Sequence, residues 1–149
     1  MKIHFLRGVS GSGKSRKAWE LAQGNADLIC SADNYFMKEG KYCFDPALLP
    51  HVHGECLKKY ISLVHAKAET IVVDNTNTQM WELKPYWEIA MIAKCDFEFI
   101  EFVPPADRHR RDEYLSLCAR RNTHGVTYDI IAKQHERWQD IPLAWRVKG

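Results

Sequence analysis

The distribution of apolar and polar residues along the chain predicts strands that alternate with helices. The nearly uniform, β-branched run at residues 70–74 is typical of a strand buried on both faces. Apolar residues that recur every fourth position predict a helix over residues 50–66. The same patterns predict the remaining elements, which are strands within residues 1–6, 27–31 and 96–103 and helices over residues 16–23, 79–93, 106–121 and 127–139.

Proline and glycine mark the interruptions of this pattern. We expect an irregular connection at residues 34–45, a separate turn at residues 46–49, and a break or restart of the helix at Pro85. The tail at residues 141–147 is a candidate edge strand. Strands that alternate with helices form a parallel sheet covered on both faces. The sequence therefore predicts one α/β domain over residues 1–149, with a parallel β-sheet of about four to five strands flanked by helices on both faces.

Composition narrows the class of protein. Hydrophobic residues make up 46% of the 149 residues, which is enough to build a core, and a net charge of +2 permits a local basic patch without indicating a nucleic-acid coat protein. The chain has neither a signal sequence nor an apolar run of transmembrane length, so we expect a soluble, intracellular (cytoplasmic) protein with no membrane partner. The five scattered cysteines are expected to be reduced thiols.

The stretch GVSGSGKS at residues 8–15 matches G-x-x-x-x-G-K-[ST] and lies between a predicted strand and a predicted helix. Glycines in such a loop let backbone N–H groups converge on phosphate oxygens, and the helix that follows directs its N-terminal dipole at the same anion. We expect Lys14 to reach the outer phosphates and the Ser15 hydroxyl to bind Mg²⁺. The predicted nucleotide-binding residues of the loop are Gly8, Ser10, Gly11, Ser12, Gly13, Lys14 and Ser15.

Acidic residues follow two predicted strands, at the edge where parallel sheets bind ligands. Asp74 ends the strand at residues 70–74, a position from which P-loop enzymes hold Mg²⁺, although a strand-end or helix-capping role is the alternative. Asp33 follows the second strand, where a carboxylate can take the proton of an attacking hydroxyl group. Asp33 therefore favours phosphoryl transfer to an alcohol over transfer to water, and a cap of the turn at residues 31–34 is its alternative role.

Two adjacent arginines are candidates for stabilising negative charge on the transferring phosphoryl group. Arg120 and Arg121 precede a loop in which Gly125 permits a hinge, so we expect a short lid over about residues 120–126. A lid arginine can supply a large part of the rate of phosphoryl transfer. Both arginines are predicted to bind the nucleotide, and Arg121 is also predicted to act in catalysis together with Asp33 and Lys14.

Five segments in the same order carry a family resemblance: GVSGSGKS, SADNYF, GKYCFDP, VVDNTNTQMWELKPY and RRNTHGVTYDIIAKQHERW. Together they resemble small P-loop proteins that include polynucleotide 5′-hydroxyl kinase domains and Nedd-binding-protein-like P-loop domains of the zeta-toxin/AAA type. The second group is the more similar, and the resemblance spans residues 3–138. It implies a P-loop kinase-type sheet with a short lid, and ATP and Mg²⁺ as cofactors.

The resemblance also implies roles for single residues. Asp33 matches the general base of polynucleotide kinases, and Asp74 matches the acidic residue of the family's VDNTN block. Arg121 matches the first lid arginine. Thr76 and Asn77 fall in the segment that faces the acceptor in this family.

Two departures from the polynucleotide kinases concern the acceptor. The arginine that grips the acceptor's phosphate in those enzymes is replaced by Phe36, and their second lid arginine falls near His124. Tyr35 and Phe36 either stack on a base of the acceptor or pack against the sheet. His53 matches a histidine in a helix of the family and is a candidate to face the acceptor, and His124 is a candidate to donate to phosphate.

The sequence therefore favours an ATP- and Mg²⁺-dependent phosphotransferase that moves the γ-phosphate to a hydroxyl group. The favoured acceptor is the 5′-OH of a polynucleotide or nucleotide, so its partners are a nucleotide donor and a DNA or RNA 5′ end. Two alternatives stay open. One is a nucleotide-dependent binding or regulatory module with weak NTPase activity, and the other is a small-molecule kinase.

Overall fold

The computed structural model describes residues 1–146 and has a four-stranded parallel sheet at its centre. The strands are β1 (Lys2–Gly8), β2 (Ile29–Cys30), β5 (Thr70–Asp74) and β6 (Asp96–Phe102), and their order across the sheet is β2-β5-β1-β6. The pairing register places Phe5 of the central strand β1 between Val73 of β5 and Phe99 of β6. The predicted α/β fold with a parallel sheet is confirmed.

Helices cover both faces of the sheet, as predicted. They are α1 (Lys14–Leu21), α2 (Leu49–His65), α3 (Met80–Ile92), α4 (Arg108–Arg121), α5 (Tyr128–Glu136) and α6 (Leu143–Arg146). Neighbouring residues of β1 point to opposite faces, so Phe5 packs with side chains of α2 and α3 whereas Leu6 packs with Ala18 of α1. None of the helices within residues 1–146 has the length and apolar character that crossing a membrane requires.

The prediction that Pro85 breaks its helix is wrong, because α3 runs through this residue without interruption. A proline inside a helix removes one backbone hydrogen bond and costs about 3 kcal/mol or more. Leu83 and Tyr86, on either side of Pro85, are both buried in the core. The carbonyl of Tyr86 also accepts a hydrogen bond of 2.8 Å from the Tyr60 hydroxyl of α2. Tertiary packing against α2 therefore offsets the local effect of the proline.

The connection between β2 and α2 contains a hairpin that the sequence pattern did not reveal. Strands β3 (Met37–Lys38) and β4 (Lys41–Tyr42) pair in an antiparallel manner. The two turn residues, Glu39 and Gly40, have φ values of 50° and 78°, in the left-handed region that two-residue hairpin turns require. Residues 34–45, which are expected to be irregular, therefore include a two-stranded sheet that is separate from the central sheet.

The C-terminal segment forms a short helix instead of the expected edge strand. Ile141 is buried in the core, and α6 follows it. Trp145 of α6 stacks on Trp87 of α3, with ring centroids 4.5 Å apart and an angle of 8° between the planes. This stacking directs the tail onto α3 and away from the sheet edge. The edge-strand prediction is wrong for the described part of the tail, and Val147 lies outside the described residues.

A fully buried arginine in β1 connects distant parts of the chain. Arg7 donates hydrogen bonds to the backbone carbonyls of Asn77 and Gln139. It also forms an ion pair of 2.8 Å with Glu101 of β6 and lies 4.1 Å from the centroid of the Trp138 ring. Burial lowers the pKa of Arg7, and the charge of Glu101 opposes this shift. The guanidinium thus joins β1 to the loop after β5 and to the segment after α5.

Candidate active site

A cavity of about 320 Å³ lies at the carboxyl ends of the parallel strands, where this class of sheet binds ligands. It is lined by the loop between β1 and α1, by Asp33, by residues 74–76 at the end of β5, and by the loop that follows α4. The structure brings together most of the predicted nucleotide, metal and catalytic residues at this cavity: Ser10, Gly11, Gly13, Lys14, Ser15, Asp33, Asp74 and Arg121.

Two glycines determine the path of the loop between β1 and α1. Gly11 and Gly13 have φ values of 78° and 105°, which residues with a side chain rarely adopt. The loop also packs closely on α4, since a Cβ atom at Gly11 would lie 2.1 Å from the carbonyl oxygen of Cys118. Glycine at position 11 is therefore required twice, for the turn of the backbone and for the contact with α4.

The two serines inside the loop have different environments. The N–H of Ser10 donates to Oε1 of Gln134 at 2.9 Å, and Nε2 of Gln134 donates to the Ser10 hydroxyl at 3.1 Å, so α5 holds this end of the loop. Gln134 was not identified from the sequence. Ser12 is buried, and its hydroxyl oxygen has no hydrogen-bond partner within residues 1–146. Because an unpaired buried hydroxyl is costly, Ser12 fits a loop that an anion completes.

The cavity lining includes a buried lysine, Lys14, and a buried aspartate, Asp74. Nζ of Lys14 donates to the carbonyl of Val9 at 3.1 Å. Burial lowers the pKa of Lys14, and the charges of Asp74 and Asp33 oppose this shift. Burial raises the pKa of Asp74, and Lys14 together with a hydrogen bond from Ser15 opposes the rise. Ser15 and Asp74 both line the cavity, and each offers oxygen atoms of the kind that bind a divalent cation.

Asp33 lies in the turn after β2, and two other side chains contact its carboxylate. The Tyr42 hydroxyl donates to Oδ1 at 3.1 Å, and Nδ1 of His124 lies 3.5 Å from Oδ2. The rings of Tyr42 and His124 stack on each other, with centroids 4.0 Å apart and an angle of 14° between the planes. Burial and the charge of Asp33 raise the pKa of Tyr42. These contacts orient the carboxylate, which stays exposed to solvent.

Tyr42 belongs to β4, and sequence reasoning missed its contact with Asp33. The residue was present in the segment GKYCFDP that contributed to the family resemblance. The hairpin at Glu39 and Gly40 folds this segment back toward the turn that carries Asp33. The turn at Glu39 and Gly40 is therefore the sequence signal that would have predicted the contact between Tyr42 and Asp33.

The structure distinguishes between the two predicted arginines. Arg121 lines the cavity and donates from Nε and Nη2 to the carbonyl of Gly11, at 3.2 and 2.7 Å. Arg120 instead lines a separate depression along α4 and does not line the cavity. The assignment of Arg120 as a nucleotide-binding residue is therefore not supported in this conformation, because the helix directs the neighbouring side chains to different sides.

The loop after α4, which was predicted as the lid, has a compact form. Nδ2 of Asn122 donates to the carbonyl of Val126 at 2.8 Å, and Oδ1 of Asn122 accepts from the Val126 N–H at 2.8 Å. Gly125 lies between them with a φ of 70°. This closed loop brings His124 against Asp33 and Tyr42.

Two of the predicted acceptor residues are buried. Phe36 is 2% exposed and packs with Val52 and with the ring of Phe44, so the packing alternative applies to it and stacking on a base does not. Asn77 is 1% exposed, and its Nδ2 donates to the carbonyl of Leu6 at 2.9 Å. Both side chains therefore have structural contacts in this conformation: Phe36 lines neither this cavity nor the one between α2 and α3, whereas Asn77 contributes to the lining of the latter.

The other acceptor candidates remain accessible. Thr76 and His124 line the cavity. Tyr35 is exposed, and its hydroxyl donates to the carbonyl of Glu55 at 3.2 Å. His53 is exposed on α2 and lines a second cavity, between α2 and α3.

The order of the strands, the glycine-rich loop between β1 and α1, and the carboxylates at the strand ends define a P-loop kinase-like α/β domain. Within this class, the chain belongs to the AAA domain family, whose model matches residues 3–140. Human NEDD4-binding protein 2 is 36% identical to the chain over 136 residues. The match covers 91% of this chain and 7% of that relative, so the chain corresponds to a small part of it.

The fold is also similar to a solved structure. A chain in the structure of the Pnkp1/Rnl/Hen1 RNA repair complex superposes with a TM-score of 0.67 at 18% sequence identity. The superposition covers 91% of this chain and 43% of that chain. Together with the family match, this similarity confirms the predicted resemblance to P-loop kinase-like domains.

Proposed function

We propose that this domain is an ATP- and Mg²⁺-dependent kinase that transfers the γ-phosphate to a hydroxyl group. The observation that carries the proposal is that an exposed carboxylate, Asp33, lines the same cavity as Lys14 and Arg121. A P-loop supports nucleotide binding, and a base beside it supports an alcohol as the acceptor of the phosphoryl group.

The loop between β1 and α1 fits the phosphates of the donor nucleotide. The curvature at Gly11 and Gly13 and the N-terminus of α1 suit an anion, and the unpaired hydroxyl of Ser12 supplies a further hydrogen-bonding group. Lys14 supplies a buried positive charge. When a phosphate enters, we expect Nζ of Lys14 to exchange the carbonyl of Val9 for a phosphate oxygen.

Ser15 and Asp74 fit Mg²⁺, which takes oxygen ligands and keeps several water molecules. Within residues 1–146 no group of three or more His, Cys, Asp or Glu side chains forms a metal site. A nucleotide-linked Mg²⁺ needs only one or two protein ligands besides the phosphates. When bound, the ion would neutralise charge on the phosphate oxygens.

In the proposed reaction, the acceptor oxygen forms a bond to the γ-phosphorus. The bond from that phosphorus to the bridging oxygen of the β-phosphate breaks, and ADP leaves. The proton of the acceptor hydroxyl passes to Asp33, whose orientation is set by Tyr42 and His124. Arg121 and Lys14 stabilise the negative charge on the transferring group.

The favoured acceptor is the 5′-OH of a polynucleotide or nucleotide. The motif resemblance and the similarity of fold to a chain of an RNA repair complex support this choice. The experiment measures transfer of labelled γ-phosphate to 5′-OH DNA, 5′-OH RNA, nucleosides and small alcohols. Oligonucleotides of the same sequence that already carry a 5′-phosphate serve as the matched control. We expect label on acceptors that carry a 5′-OH group and none on the 5′-phosphorylated controls. ATP turnover that no acceptor stimulates would contradict the proposal.

A nucleotide-dependent regulatory module is the second candidate, and the burial of Phe36 favours it. This residue occupies the position at which polynucleotide kinases have the acceptor-gripping arginine, and it cannot bind an acceptor where it lies. Such a module would bind ATP tightly and show no turnover that depends on an acceptor.

A small-molecule kinase would act on a metabolite that oligonucleotides do not displace, and its acceptor binding would lack the steep salt dependence of polynucleotide binding.

The gain in affinity for ATP that Mg²⁺ provides is expected to decrease as the pH falls. A protonated carboxyl does not bind Mg²⁺, and burial raises the pKa of Asp74, so the loss should begin above the range of an exposed aspartate, whose pKa is about 3.9. The measurement is the Kd for ATP, with Mg²⁺ and with EDTA, between about pH 8 and pH 5. The Asp74→Asn variant keeps Ser15 and the phosphates, so it should show a smaller gain from Mg²⁺ that lacks the pH dependence contributed by Asp74. An unchanged gain in this variant would remove Asp74 from the proposed metal site.

A further inference from the structure

A second cavity, of about 210 Å³, lies between α2, α3 and the loop after β5. Most of its lining is apolar or aromatic and comes from Leu57, Trp81, Pro85 and Tyr86. A cavity of this size is smaller than the sites that hold drug-sized molecules, and it suits one planar ring system.

Two local features of the helices lie at this cavity. On α2, a Cβ atom at Gly54 would meet no atom within 4 Å, so the helix presents open space at that position. On α3, Pro85 has no N–H, so the carbonyl of Trp81 lacks its usual helical donor. The site therefore offers apolar surface beside a helix turn that lacks one backbone donor.

An exposed indole lies at this cavity. Trp81 is 67% exposed, and its Nε1 donates to Oε1 of Gln79 at 3.2 Å, which holds the ring at the cavity. A large aromatic ring held in this way beside a concave site is a platform on which a planar ring can stack. Glu82 lies in the same lining and can accept hydrogen bonds from ring N–H groups.

The second cavity adjoins the cavity of the proposed kinase reaction. Asn75 lines both of them, so its side chain lies at their boundary. Its Oδ1 accepts from the N–H of Ala32 at 2.9 Å, next to Asp33 in the chain. An acceptor whose hydroxyl group lies at Asp33 can therefore extend past Asn75 toward Trp81. Phe36 is buried and lines neither cavity, so it offers no stacking surface to the acceptor.

We propose that the cavity between α2 and α3 binds the heteroaromatic base of the acceptor nucleotide, stacked on Trp81. This inference rests on the proposed kinase function and adds the position of the acceptor's base. Stacking of one base on an aromatic side chain corresponds to an affinity gain of about 5- to 150-fold.

The first test is a kinetic comparison of two tryptophan variants. Trp81→Ala should raise the KM for a 5′-OH oligonucleotide by about 5- to 150-fold and leave kcat and the KM for ATP unchanged. Trp81→Phe should restore most of the affinity. Trp19→Ala is the matched control, because Trp19 is 54% exposed on α1 and lines neither cavity. An acceptor without a 5′-terminal base should be insensitive to Trp81→Ala. An unchanged KM in Trp81→Ala would overturn the proposal.

A second measurement separates this proposal from the kinase proposal. If no transfer is detected, the same 5′-OH oligonucleotide is titrated against the wild type, Trp81→Phe and Trp19→Phe while tryptophan fluorescence is recorded. Quenching that is lost in Trp81→Phe alone supports the base site even though the kinase proposal fails. Equal quenching in the three proteins, or none, overturns the base site.

Discussion

Replacing Arg121 by alanine is expected to lower kcat for phosphoryl transfer by about 10³- to 10⁵-fold. Arg121 reaches the cavity from the end of α4 and contacts the carbonyl of Gly11, so its charge lies beside the proposed phosphate site. Without Arg121, the negative charge that builds up on the transferring phosphoryl group would lose a stabilising partner. Bound ATP before transfer would still be held by Lys14 and the loop between β1 and α1. The measurement is kcat together with the Kd for ATP, which should change far less.

Arg120→Ala is the matched control for this prediction. It removes an adjacent arginine that is also exposed and that lines a different depression on α4, so it should retain nearly full activity. Arg121→Lys should recover only part of the lost rate, because an ammonium group does not reproduce the planar, two-pronged donor. Equal losses in Arg120→Ala and Arg121→Ala would argue against a specific role for Arg121.

Replacing Asp33 by asparagine is expected to lower kcat by about 10²- to 10⁴-fold, the usual contribution of a general base. The substitution keeps the shape of the side chain and an oxygen that can accept from the Tyr42 hydroxyl, so the fold around β4 should persist. The amide cannot take the proton of the acceptor. Affinities for ATP and for the acceptor should stay close to those of the wild type, which is checked by equilibrium binding.

Tyr42→Phe tests the support of that carboxylate separately. The variant removes the hydroxyl that contacts Oδ1 of Asp33 and keeps a ring to stack on His124. Loss of one hydrogen bond of about 1 kcal/mol corresponds to roughly a fivefold decrease in kcat, far below the effect of Asp33→Asn.

Undiminished transfer by Asp33→Asn on every acceptor would show that another group takes the proton.

The parts of the fold that the sequence predicted well are those encoded by short segments. The β-branched run at residues 70–74 needs no distant partner to be read as a buried strand. The loop at residues 8–15 carries its glycines at the positions where the backbone turns. Asp33 and Asp74 could be brought to one site because all parallel strands end at the same edge of the sheet.

The parts that sequence reasoning missed depend on contacts between distant residues. Phe36 and Asn77 are acceptor candidates by position. Only the packing of Phe36 against Val52 and the hydrogen bond from Asn77 to the carbonyl of Leu6 show their structural roles. The choice between the neighbouring arginines at 120 and 121 depends on how α4 rotates against the P-loop. Tyr42 reaches Asp33 only through a six-residue hairpin at residues 37–42, which is too short for a periodic signal.

The buried guanidinium of β1 determines how far the domain must extend to fold independently. Its acceptors include Gln139, well beyond the catalytic machinery, and a fragment that stops before this residue would keep a positive charge in the interior with fewer partners. We therefore expect the smallest autonomously folding unit to include the segment after α5, although no residue of that segment lines the phosphate cavity. The family match ends at residue 140, immediately after this anchoring point.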